Sequence, residues 1–333
     1  MANQKLWQLL WRHYRPILIA AVVALMLVGL KSGMSVVANP RGYIAGSVYN
    51  LNNGGDLRAF VAIIVFFALG ITMFLHDNLT SFDHYLFGLP VHRRQIYRKK
   101  IGLLVTAATT GYVGMQLVYW VTIQSTLTHR HVTVSWGASL WMMVTQWLML
   151  SVLLMVAVTF GLWVGHLFAS VVAGVVFSCS LLFAYNALVY ITAAVLRVNY
   201  RRVDVLNHLQ AETWGSLAVI AAVAIVLGGF LYWFNGWGFD HLSLENSQEF
   251  FRFPQYRSAV LWFSIIYLSL TTSCSEFGLT VLAILTDNYR SQMPLLTGIV
   301  MAIVVAYVTW GLGRWFLYRP DQFRTVWTTK RLD

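Results

Sequence analysis

The chain has 333 residues, of which 58% are hydrophobic and only 11% charged, against roughly 45–50% and about 25% in ordinary soluble domains. That composition excludes a water-soluble globular domain and places the chain among all-α polytopic membrane proteins. A net charge of +11 does not signal nucleic-acid binding, because the basic residues flank apolar runs instead of gathering on one face of a folded domain; anionic membrane lipid is the counter-charge that suits this pattern.

Taken in chain order, the first segment mixes Leu6, Trp7, Leu9, Leu10 and Trp11 with Lys5, Arg12 and Arg15, and Pro16 follows. Its pattern predicts an amphipathic elbow helix over residues 1–16, lying in the interface with Trp and Leu against acyl chains and halted by the proline. A plain basic flank of the first span is the alternative. A helix needs about 20 apolar residues to cross the hydrocarbon. Runs of that kind cover residues 17–37, 59–75, 101–123, 136–160, 167–196, 214–234, 259–285 and 295–312. Eight spans are therefore expected within a transmembrane domain of residues 17–313, followed by a tail over 314–333. Six is the alternative number, with one or two runs after Leu196 re-entrant or interfacial, since 197–212 carries three arginines. Trp136, Trp214, Trp233, Trp315 and Tyr318 fall at span ends, where amphipathic rings gain most. Cys179 and Cys274, the two cysteines, lie inside apolar runs and are expected to be buried free thiols.

With the N-terminus inside, fifteen Lys and Arg fall in inner segments and seven in outer ones. The bias puts both termini in the cytoplasm. Five of the inner residues, Arg93, Arg94, Arg98, Lys99 and Lys100, crowd into one loop over 76–100. There Phe82, Tyr85, Leu86 and Leu89 recur at helical spacing before Pro90 stops the helix, and a second, basic helix follows into the membrane. A rigid short helix bearing aromatic knobs suits docking in a groove of a soluble partner.

Leu89, Pro90, Val91, Arg93, Arg94, Ile96 and Lys100, following a polar stretch, form a pattern that resembles the first cytoplasmic loop of ABC type-2 exporter permeases. His92 replaces the usual Ser or Thr, and Asp83 stands where Glu or Gly is more frequent nearby. The resemblance covers roughly the first 125 residues. It implies that this loop is a coupling helix, with Phe82, Tyr85, Leu86, Leu89, Pro90, Arg93, Arg94 and Lys100 transmitting motion from an ATPase. It further implies two ATPase subunits on separate chains carrying ATP and Mg, beneath this permease and a second one, identical or paralogous, in a bacterial cell membrane. No Gly-x-x-x-x-Gly-Lys-[Ser/Thr] phosphate loop occurs in the chain itself, so no cofactor is assigned to it.

Glu276, in the seventh run, is costly in hydrocarbon unless paired, protonated or wetted, and is the first candidate for a substrate pathway. Asn186, Tyr185, Gln116, Tyr119 and Gln146 are further candidates, with helix-to-helix hydrogen bonding as the plain alternative. His129 and His131 lack carboxylate or thiol neighbours in sequence, so no metal site is assigned. Neither His-Glu-x-x-His nor Gly-x-Ser-x-Gly occurs, which argues against an intramembrane hydrolase and for a chain that is no enzyme. The expected function is export of a hydrophobic or amphipathic compound such as an antibiotic, peptide or lipid. A proton-coupled secondary transporter using Glu276, or a non-transporting sensor or immunity protein, are the alternatives.

Overall fold

A computed structural model describes residues 2–44, 46–52, 56–198, 214–242, 251–286, 295–318 and 327. The chain is helical and membrane-embedded. Seven described helices are long and apolar enough to cross a bilayer, and a bent pair counted as one span makes eight. Two compact units emerge, one of Met1–Trp163 and Glu212–Leu244, the other of Val164–Ala211 and Glu245–Asp333.

The first unit contains α1 (Ala2–Ala38), α2 (Pro40–Tyr43), β1 (Val48–Tyr49), α3 (Asp56–Leu79), α4 (Phe82–Phe87), α5 (Arg93–His129), β2 (Thr133–Val134), α6 (Trp136–Trp163) and the helix Trp214–Asp240. The expected break at Pro16 is absent: α1 runs through it. Leu6, Leu10, Tyr14, Leu18 and Leu25 are all buried at helical spacing on both sides of the proline. One continuous stripe packed on α5 thus outweighs the single backbone hydrogen bond that a proline removes. The two helices approach closely at Gly29, where a Cβ would land on the Met115 carbonyl. A comparable crossing of α3 and α6 depends on Gly70, whose Cβ would lie 2.7 Å from the Leu154 carbonyl oxygen.

With 37 residues each, α1 and α5 are about 55 Å long, well beyond the roughly 30 Å of hydrocarbon. Their ends therefore stand clear of the acyl chains. At one end, β1 and β2 pair in parallel, Val48 opposite Thr133 and Tyr49 opposite Val134, a small addition to the all-helical expectation. Tyr49, Leu51, Ile44 and Val36 pack there on Tyr119, Ile123 and Leu127 of α5. The opposite end carries the 76–100 loop.

In the second unit, α7 is Leu167–Leu196, and after the helix Trp214–Asp240, here α8, come α9 (Arg257–Ser273), α10 (Glu276–Thr286) and α11 (Leu295–Tyr318). The uninterrupted span expected over 259–285 is broken: α9 and α10 meet at 62°. Its cause is the run Thr271 to Ser275. Thr272 donates to the Leu268 carbonyl at 2.7 Å, and Ser273 and Ser275 donate to the carbonyls of Ser269 and Thr271. Hydroxyls bonded to the preceding turn compete with backbone donors and bend helices. Ser180 and Tyr267 hydroxyls, 2.7 Å apart, tie α7 to α9.

The helix of the 214–234 run is longer than that run, because α8 continues to Asp240 with Asn235 buried and donating to the Met155 carbonyl at 3.0 Å. Cys179 is exposed instead of buried, and Cys274 is half-buried; both are free thiols. Most of the 197–212 loop and of the 314–333 tail lies outside the described residues.

Candidate functional site

The loop 76–100 folds back on the helix ends that carry it. Ser81, in the left-handed region at φ 55°, turns the chain from α3 into α4, which places Asp83 and Leu86 inward and leaves Tyr85 54% exposed. Asp77, in the last turn of α3, is fully buried, as is Lys100 of α5. Lys100 donates to Asp77 Oδ2, and Tyr14 of α1 donates to Oδ1 of the same carboxylate. Asp83 Oδ1 lies 4.0 Å from the ammonium, bringing α4 into the cluster.

Aromatic rings close the space. The Lys100 ammonium sits 4.1 Å above the Phe74 ring and 5.6 Å from that of Phe239, a geometry in which a ring face attracts a cation. His13 stacks on Phe82 with centroids 3.9 Å apart, and its Nε2 is 3.8 Å from Asp77 Oδ1. Four helices therefore meet at one buried ion pair. Removing any one partner would strand a charge away from water, so the cluster holds these ends as a block.

This placement sorts the eight expected coupling residues into three groups. Leu86 and Lys100 are buried, and Phe82 is half-buried against His13; these three anchor α4 from within. Tyr85, Pro90 and Arg94 are exposed, while Leu89 is partly covered. Arg93 is a strut: its Nη1 donates to the carbonyls of Leu242 at 2.8 Å and Asp240 at 3.2 Å, and its guanidinium lies over Phe87 at 4.4 Å. Sequence reasoning missed Asp77. Its signal was an acid at the end of an apolar run, in a chain with twelve acids in all, one short loop before a cluster of bases.

A second polar network lies near the opposite end of α5. Arg58, buried at 2% exposure, donates from Nη1 to Gln116 Oε1 at 2.8 Å and from Nη2 to the Leu51 carbonyl at 2.7 Å. Its guanidinium stacks 3.4 Å above the Tyr119 ring. Gln116 donates to the Tyr112 hydroxyl, which donates in turn to Gln146 Oε1 at 3.1 Å. The Tyr119 and Tyr49 hydroxyls are 2.7 Å apart, and burial followed by this bond pushes the Tyr49 phenol well up. The structure thus unites Gln116, Tyr119 and Gln146, expected as pathway residues, around an arginine that the sequence placed in an outer loop. Each is bonded to a neighbour, the geometry of a helix-to-helix lock.

The remaining pathway candidates belong to the second unit. Tyr185 and Asn186 are half-buried on α7. Glu276 begins α10, immediately after the α9–α10 bend, and its side chain lies outside the described residues. No group of three metal-ligating side chains occurs among the described residues. No protein-family model, curated protein or solved structure matches the chain.

Proposed function

We propose that the chain is the membrane-spanning subunit of an ATP-driven exporter of the ABC type-2 kind, moving a hydrophobic or amphipathic compound with ATPase subunits on separate chains. One observation carries this reading. A short helix, α4, stands at the end of the spans with Tyr85 outward, and is fastened through Asp83, Lys100, Asp77 and Tyr14 to α5, α3 and α1. A push on α4 would be passed to three spans at once, because buried charges cannot part from one another cheaply. The resemblance of residues 89–100 to the coupling loop of those permeases points the same way.

In this mechanism the partner's nucleotide state biases a two-state gate. Closure of the ATPase pair displaces α4, and the block of helix ends rocks so that the path opens to the far side. The chain supplies the path, and the chemistry of ATP stays in the partner. In a bacterial cell membrane both termini face the cytoplasm, as the distribution of basic residues favours.

Co-expression with ATPase subunits of the ABC type-2 kind tests the reading. Wild type is expected to co-purify with those subunits, and Tyr85→Ala, which removes an exposed ring stacked on Phe82 and leaves the buried ion pair intact, is expected to lower recovery of the complex severalfold at unchanged membrane insertion. Absence of any ATPase from the purified wild-type chain would overturn it.

A further inference from the structure

Helix α5 opens against ordinary electrostatics. A helix N-terminus carries a partial positive charge and favours acids, yet the first turn of α5 holds no acidic residue, its N-cap His92 forms no side-chain cap bond, and Arg93, Arg94 and Arg98 occupy its first two turns. Arg94 and Arg98 stand four residues apart on one helix face, where like charges repel. His92, Arg94, Gln95 and Arg98 are all exposed. With Arg93 and Asp240 they line an open pocket of about 440 Å³. Arg93 is already committed, through its bonds to the carbonyls of Leu242 and Asp240, and so fixes the pocket wall. Three arginines against the one Asp240 carboxylate leave an excess of positive charge facing outward.

We infer that this pocket binds the phosphate group of an anionic lipid headgroup, with Arg94 and Arg98 as its principal donors. Depth favours a lipid over an acidic protein surface. The apolar stretch of α5 begins at Ile101, so at 1.5 Å per residue Arg98 lies about 4 to 5 Å, and Arg94 about 10 Å, outside the hydrocarbon. Arg98 therefore falls within the headgroup layer, and the long Arg94 side chain reaches back to it. Trp233, 56% exposed on α8 about two turns before the pocket's Asp240, suits that boundary. An anion there would relieve the Arg94–Arg98 repulsion and complement the uncapped first turn. The inference goes beyond the exporter reading and does not depend on any ATPase.

The full chain, purified in a neutral detergent, is titrated with phosphatidylglycerol, with phosphatidylcholine or with inorganic phosphate, and retained lipid is counted by native mass spectrometry. Wild type is expected to retain phosphatidylglycerol in preference to phosphatidylcholine. Arg94→Gln/Arg98→Gln is expected to bind it roughly tenfold or more weakly, since each basic side chain near an anionic surface contributes appreciably. Arg98→Gln alone should show part of that loss, and Lys31→Gln/Arg130→Gln, which carries the same charge change at the opposite ends of α1 and α5, should retain wild-type affinity. Equal retention by wild type and the 94/98 double variant would overturn the site. Equal loss in both double variants would reduce it to general surface charge and overturn it too. Inorganic phosphate displacing the lipid at equal concentration would overturn the lipid as its occupant, and an acidic ATPase surface displacing it would assign the pocket to that partner instead.

Discussion

Lys100 and Asp77 are both fully buried, and taking two such charges out of water costs several kcal/mol per ion unless geometry and extra bonds offset it. Here the offsets are the Tyr14 hydroxyl, Asp83 and the ring faces of Phe74 and Phe239. Lys100→Met leaves two buried carboxylates without their cation and is expected to destabilise the protein by about 3 to 5 kcal/mol. The combined Asp77→Asn/Lys100→Met variant is expected to cost clearly less than the sum of its single changes, measured as thermal unfolding midpoints in detergent. Additive losses would show that the two residues act separately. Little of this pairing is legible in the sequence: Lys100 reads as a base of the coupling loop, and nothing singles out Asp77. Their meeting depends on α4 folding back at Ser81, which no local pattern encodes.

At the scale of elements, long apolar periodicity was the reliable signal, and all eight apolar runs correspond to helices. Boundaries and breaks were less legible, for definite reasons. Pro16 reads as a stop because a proline inside a helix costs a hydrogen bond, yet the buried series Leu6, Leu10, Tyr14, Leu18 and Leu25 continues across it. That spacing is visible in the sequence and outweighs the proline. Conversely, the run 259–285 reads as unbroken because Ser and Thr are tolerated in apolar helices, and only their bonds to the preceding turn reveal the bend. Since α1 is helical through residue 16, Pro16→Ala restores a donor and removes a clash. It is expected to raise stability by roughly 1 to 3 kcal/mol, read as a higher unfolding midpoint; a lower midpoint would mean that the proline shapes a kink the packing requires.

For the whole molecule, the pathway candidates illustrate what one sequence can and cannot place. Gln116, Tyr119 and Gln146 were recognised as polar groups in apolar helices, and they do assemble, but around Arg58 and as mutually bonded partners. Tyr185, Asn186 and Glu276 belong to the second compact unit. What unites the first unit is the block of helix ends beneath α4, with an exposed Tyr85 on its outer side. The most direct test of its role is photo-cross-linking in intact membranes, with p-benzoylphenylalanine introduced at position 85 and, as a lipid-facing control, at position 230, which is 56% exposed on α8. A cross-link from position 85 to a co-expressed ATPase subunit, with none from position 230, is the expected result. A complex that forms without any cross-link from position 85 would contradict α4 as the point where the motor takes hold.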